Sequence, residues 1–197
     1  MNAPAMSIRA ADLLRPAAVL ALEEWASWAG RVSEVSEERA AGALTWMAGL
    51  MEQVQDRGEQ TVWISAANSL FFPPDLAYRG LDLAAITVVD VRMPQAALQA
   101  AEWLLRSAAF GLVVIDGVQE LVTEAGLGRL VRLAAGARTG LVFLTRKSED
   151  TPSLGSQVGL RVAVKPGGPG TEVVALKNRG HPLSRTQWTQ DGPMGLY

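Results

Sequence analysis

Apolar positions along the chain alternate between short continuous runs and longer stripes at helical spacing. Val19, Leu20, Leu22, Trp25 and Trp28 continue a helix entered at Pro16 and stopped at Gly30. Val32 and Val35 then mark a strand, and Thr45, Trp46, Leu50 and Met51 give a helical stripe to a segment from about Ala40 to Asp56, closed by Arg57-Gly58. Thr61 to Ile64 is a short buried strand. Phe71-Phe72-Pro73-Pro74 reads as a loop, either a packed corner or a contact site, and a short helix follows to Arg79-Gly80. Ala85 to Val89 is the next strand, and Pro94 opens a helix that runs to Ser107. Phe110 to Asp116, FGLVVID, is a continuous apolar run ending in one acid, as expected of a central parallel strand covered on both faces.

Leu121 to Ala137 is mainly helix, Thr139 to Thr145 a further strand, and Arg146 to Asp150 a mixed-charge loop. Beyond that point the pattern changes. Residues 159–164, 171–177 and 185–188 are β-rich and partly alternating, and Gly167-Gly168-Pro169-Gly170 reads as the turn of a hairpin. Strands alternating with helices, followed by antiparallel strands, predict an α/β fold whose mostly parallel central sheet is extended at one edge by a C-terminal antiparallel meander. The expected organisation is an N-terminal amphipathic arm over 1–29, a core domain over 30–191 and a tail over 192–197. Trp25 and Trp28 either pack on that core or serve as anchors of a docking helix.

With 197 residues, 49% of them hydrophobic, the chain is long enough for one well-buried core. A net charge of −2 argues against a strongly basic nucleic-acid binder and leaves room for a local patch built from Arg146, Lys147, Lys177, Arg179 and Arg185. The chain has no cysteine, which excludes disulfides and thiolate chemistry, and its single histidine, His181 beside Pro182, reads as a loop residue rather than a zinc ligand. The N-terminus lacks a charged region followed by an apolar run, and no segment approaches 18 continuous apolar residues, so the expected location is cytoplasmic.

The chemistry-bearing stretch is GRVSEVSEERAAGALT, Gly30 to Thr45, which has the strand, turn and helix start of a phosphate-binding loop. The spacing survives without the chemistry. Glu37 stands at the position of the first glycine, Gly42 keeps the second, Ala43 replaces the lysine and Leu44 replaces the magnesium-holding hydroxyl. A carboxylate about 4 Å from a phosphate is opposed by roughly 4 kcal/mol at an intermediate dielectric. No cofactor, metal or catalytic residue is therefore expected. Asp116 has the form of a magnesium-supporting strand-end acid, but such residues commonly just cap a turn.

From Gly30 to about Trp188 the chain resembles the ATPase core of the RecA-like superfamily. GRVSEV matches the strand before the phosphate loop, TVWIS the next strand, LVVID the acidic strand, and LVFLT the strand before the second DNA loop. SQVGLRVAV and VVALKNRGHPLSRTQW match the closing meander. Small size and lost loop chemistry make it most similar to the ImuA family, accessory proteins of bacterial error-prone lesion-bypass cassettes, with SulA-type division inhibitors more distant. The resemblance puts the catalytic glutamate at Ala67, the phosphate lysine at Ala43 and the γ-phosphate-sensing glutamine at Arg146, all lost. It implies that Lys177 and Arg179 replace a lysine pair that reaches a neighbouring subunit's ATP, unless they merely form a solvated edge. The implied role is non-catalytic: binding RecA, and the lesion-bypass polymerase subunit of the same cassette, and modulating the RecA filament in SOS mutagenesis. The alternatives are a single-strand DNA-binding module and a division inhibitor.

Overall fold

The computed structural model describes residues 24–38, 42–66, 69–118, 122–167, 170–179 and 185–188. A 3-10 turn at Trp25–Ser27 leads to strand β1 (Val32–Glu37) and helix α1 (Ala43–Gln55). Strand β2 (Thr61–Ser65), helix α2 (Pro73–Tyr78), strand β3 (Ile86–Asp90), helix α3 (Pro94–Ser107) and strand β4 (Leu112–Asp116) follow. Helix α4 (Glu124–Ala137) and strand β5 (Gly140–Arg146) precede the meander of β6 (Leu160–Gly167), β7 (Gly170–Asn178) and β8 (Arg185–Trp188).

All eight strands form one sheet in the order β3-β2-β4-β5-β1-β6-β7-β8. Pairings from β3 across to β6 are parallel; β6–β7 and β7–β8 are antiparallel. This is the mostly parallel sheet with a terminal meander that the hydrophobic pattern predicts. The central strands are buried on both faces, which is why they read as near-continuous apolar runs. One face packs Val35, Trp63, Val114 and Val142 against Trp46, Met47, Leu50 and Met51 of α1. The other packs Val62, Ile64, Val113, Ile115 and Phe143 against Leu105 of α3 and Leu127 and Leu130 of α4.

Element ends depart from the sequence reading where capping decides them. Helix α1 starts at Ala43 rather than Ala40, because Gly42 is left-handed at φ 103° and ends the preceding turn. Helix α4 starts at Glu124, where the Thr123 hydroxyl oxygen accepts the Gly126 N–H at 3.1 Å. The Phe71–Pro74 segment is not wholly loop. Pro73 and Pro74 open α2, while the Phe71 ring lies 5.2 Å from that of Trp63 and Phe72 remains exposed.

The anticipated N-terminal helix falls mostly on residues 1–23, and the anticipated tail on 192–197, outside the described residues. Its two tryptophans are described. Trp25 is 4% and Trp28 0% exposed, and both belong to the core on the α1 face. Burial removes them from the docking set: an indole already packed on its own chain has no face left for a partner. Their fit depends on Gly140. A Cβ added there would meet Trp25 at 2.5 Å and the Trp28 carbonyl oxygen at 3.1 Å. Gly140→Ala should lower stability by about 1–3 kcal/mol by overpacking, seen as a lower denaturation midpoint at unchanged slope.

Candidate functional site

Helix α1 begins at the carboxyl end of β1, where its first N–H groups lack intrahelical acceptors and carry the positive end of the helix dipole. Glu37, the last residue of β1, occupies that position. Its Oε2 accepts the Ala43 N–H at 3.2 Å, and the residue is 4% exposed. The side chain therefore does more than repel an anion: it supplies one from within the chain. Gly42 is needed for its left-handed conformation and for space, since a Cβ would lie 2.9 Å from the Thr171 hydroxyl of β7. Ala43 is buried and Leu44 partly so, and neither side chain carries a donor for a bound phosphate.

Asp116, at the end of β4, ties down the loop after β2. Its Oδ2 accepts the Ser69 hydroxyl at 2.8 Å and also the Leu70 N–H. Ser69 Oγ in turn accepts the Trp63 indole N–H at 3.3 Å and the Phe71 N–H at 3.1 Å. Burial pushes the Asp116 carboxyl above the usual carboxylate range, outweighing the opposing pull of these hydrogen bonds and of the Arg146 charge. Asp116 thus ties residues 69–71 and not the turn that follows β4. Among the described residues no cluster of three His, Cys, Asp or Glu offers a metal site.

Glu34, in the middle of β1, was not anticipated as a site residue. Alternation along VSEVSE puts it on the face opposite Glu37, the face that α3 and α4 cover elsewhere, here under the crossover from β5 to β6. Its side chain has no exposed surface, and it meets Lys147 Nζ at 2.5 Å and Arg161 Nε at 3.8 Å. Thr145 Oγ1, Ser153 Oγ and the Leu154 N–H donate to it, each at 3.0 Å. Arg161 also donates to the Ser148 carbonyl at 2.9 Å and to that of Thr151, and Lys147 to that of Pro152 at 2.6 Å. Residues 147–154 are thus held against the sheet by one buried anion and two cations. Breaking such a group by removing one member costs about 3–5 kcal/mol. The only sequence signal is a glutamate at an inward position of a strand otherwise fit for burial.

Two strands from β1, Lys177 of β7 is in register with Arg161 and so with Glu34. Its Nζ donates to the carbonyls of Ser156 (2.9 Å) and Gly155 (3.3 Å), and Arg179, nearer the amino end of β1, donates to that of Ser156. Burial, with Arg179 close by, pulls the Lys177 ammonium below its ordinary range. Glu124 accepts the Ser156 N–H and hydroxyl, which together with the two cations hold its carboxyl below the usual range. Arg31, also missed by the sequence reading, joins this end: it donates to the Gly159 carbonyl at 2.8 Å and to Asn178 Oδ1 at 3.3 Å.

The expected five-cation patch is therefore divided. Lys147 is spent on Glu34, with 12% of its side chain exposed, and is corrected from a contact residue to an internal one. Arg146 is exposed at the end of β5, in register with Glu37. Lys177 and Arg179 lie together toward the amino end of β1, Lys177 at the level of Glu34, three register positions from that of Arg146. Arg185 is in β8, where only the backbone is described, and Ala67 lies outside the described residues.

Proteins named RecA are similar to this chain. That from Ruminococcus albus is 28% identical over 151 residues, covering 72% of this chain and 38% of its own length. That from Synechococcus sp. strain CC9605 is 30% identical over 151 residues, with 72% and 40% covered. Together with the strand order, this decides the architecture. The core is RecA-like. A third relative, RecA of Aquifex aeolicus, is 28% identical over 152 residues, 72% of this chain and 44% of its own length. The chain spans about two fifths of the length of the curated relatives it matches. No family model matches it. Among the described residues of the RecA-like core, no helix is long and apolar enough to cross a membrane.

Asp116 gives a measurable signature. Because its folded pKa is raised, its stabilising contribution is present below the unfolded pKa and lost as pH rises through the folded value. Asp116→Asn, which keeps an acceptor without the charge, should be at least as stable as wild type at neutral pH, with the difference closing as pH falls into the carboxylate range. Asp116→Ala should lose about 1–3 kcal/mol, since the Ser69 and Leu70 donors are left unpaired. Denaturant melts of the three proteins across that pH range give the comparison.

Proposed function

We propose that this chain is a non-catalytic, RecA-like accessory protein of SOS mutagenesis and translesion synthesis, which binds RecA and the lesion-bypass polymerase subunit and perturbs the RecA filament. The supporting observation is the seat of Glu37. The anion at the start of α1 is a side chain of the same chain, and Ala43 and Leu44 offer neither a cation nor a metal-binding hydroxyl. A protein so built holds the recombinase shape without needing nucleotide. It offers a neighbour the end of the sheet that carries Lys177 and Arg179, and binding there alone caps a filament at one end. Single-strand DNA binding is less favoured, because Lys147 is internal and Arg146 stands apart from Lys177 and Arg179, on the far side of β1 and β6.

Two measurements test this. ATP with magnesium should leave the thermal melt unchanged, whereas ligand at 100 times its dissociation constant stabilises a binder by about 2.7 kcal/mol. Replacing Lys177 and Arg179 together by glutamine keeps donors for the 155–156 carbonyls and removes the charges. Affinity for purified RecA, read by interferometry, should fall at least about tenfold, or 1.4 kcal/mol, with the melting temperature retained. Unchanged RecA affinity assigns the contact to another face, and a nucleotide-dependent melt overturns the non-catalytic reading.

A further inference from the structure

The face that α3 and α4 turn to solvent carries features the proposed function does not use. Trp103, on the crest of α3, is 71% exposed. Beside it, between the two helices, is a cleft of about 360 Å³ with an aliphatic floor of Leu98, Val122 and Leu130 and a rim that includes Gln99, Glu102 and Arg129. The charge of this face is one-sided. Glu102 and Glu124 are the acids of the two helices; Glu102 is paired with Arg129 at 3.3 Å, and Glu124 accepts from Ser156 at the far end of α4. Arg106 and Arg132, both exposed, make no ion pair among the described residues.

The positions coincide in space. Helices α3 and α4 each return between parallel strands and so run in the same direction, and the Glu102–Arg129 contact sets their relative level. Arg106 lies one turn beyond Glu102 on α3 and Arg132 one turn beyond Arg129 on α4, which brings the two arginines to one level. Trp103 lies one turn from Gln99 on the cleft rim and one turn from Arg106. An exposed tryptophan, flanking arginines and an apolar recess are the constituents of an interface hot spot.

We infer that this face docks an acidic, amphipathic peptide segment of a partner protein, with an apolar side chain in the cleft, Trp103 packed over it, and carboxylates against Arg106 and Arg132. The charge of the face selects an acidic partner, and the aliphatic floor selects one with an apolar anchor. A nucleic-acid strand is the poorer match, because it needs a run of cations with several stacking aromatics, whereas this face has one aromatic and a glutamate on the cleft rim.

The test uses the full chain labelled with 5-fluorotryptophan, the Trp103 line being assigned by its loss in Trp103→Phe. A synthetic glutamate-rich peptide with Leu and Phe one helical turn apart should shift that line saturably. Its affinity should fall at least about tenfold, or 1.4 kcal/mol, in the Arg106→Glu, Arg132→Glu double variant, whose melting temperature reports that it remains folded. The same peptide with serine at the two apolar positions should leave the line in place. No shift with the first peptide overturns the proposal, and so does an equal shift with the serine control, which reduces the contact to charge alone. A larger shift with an oligothymidine of about 20 nucleotides assigns the face to nucleic acid instead. None of these readings depends on RecA, so they stand or fall apart from the proposed function.

Discussion

A single carboxylate with no exposed surface, that of Glu34, governs the strip of the sheet that the helix-free crossover from β5 to β6 covers. The connection from β5 to β6 must cross β1 to join parallel strands on either side of it, and here it does so without a helix. A loop crossing a sheet cannot cover it with a helix's self-satisfied backbone, so its polar groups need partners from the strands beneath. Glu34 and Arg161 supply them in both senses, the acid receiving the Leu154 N–H and the guanidinium donating to the Ser148 and Thr151 carbonyls. Such a group of charges adds little stability beyond an apolar equivalent but is costly to leave half complete. Its effect is to fix one path for the loop.

The two glutamates of β1, three residues apart, show how one strand serves two faces. Glu34 meets cations under a loop, and Glu37 meets the amide end of a helix. Both are buried and both have partners, so neither violates the rule that charge leaves water only in company. They also tie the middle of the sheet to what surrounds it: Glu34 to the segment before β6, Glu37 to α1, and Gly42 through its close approach to Thr171 of β7.

The fold was legible because its signals are collective. Alternating runs and stripes place β1, β2, β4, β5, α3, β7 and β8 within a residue or two, since burial of whole elements enforces period and length together, while β6 runs three residues past the expected end. Single-residue contacts were less legible: Asp116 has the capping chemistry of a strand-end acid, but its partners Ser69 and Leu70 lie on another loop, more than forty residues earlier. Trp25 and Trp28 could not be placed from sequence, because an anchor for a partner and an anchor for the core have the same composition; the difference lies in Gly140, 112 positions beyond Trp28. Lys147 was misread for a similar reason. Its partner sits on a strand more than a hundred residues earlier, and nothing in a charged loop tells a solvated ammonium from a buried one.

The arrangement at Glu37 also limits which paths through sequence space remain open. Changing that position alone to glycine strips Ala43 of its acceptor, a loss comparable to removing an N-cap, about 0.5–2 kcal/mol, and brings no lysine or hydroxyl in return. Enlarging Ala43, which is buried, would crowd the helix start that this carboxylate already holds. The turn therefore keeps its present form by mutual dependence, Glu37 and the first amide of α1 each serving the other, while surface positions stay free to vary.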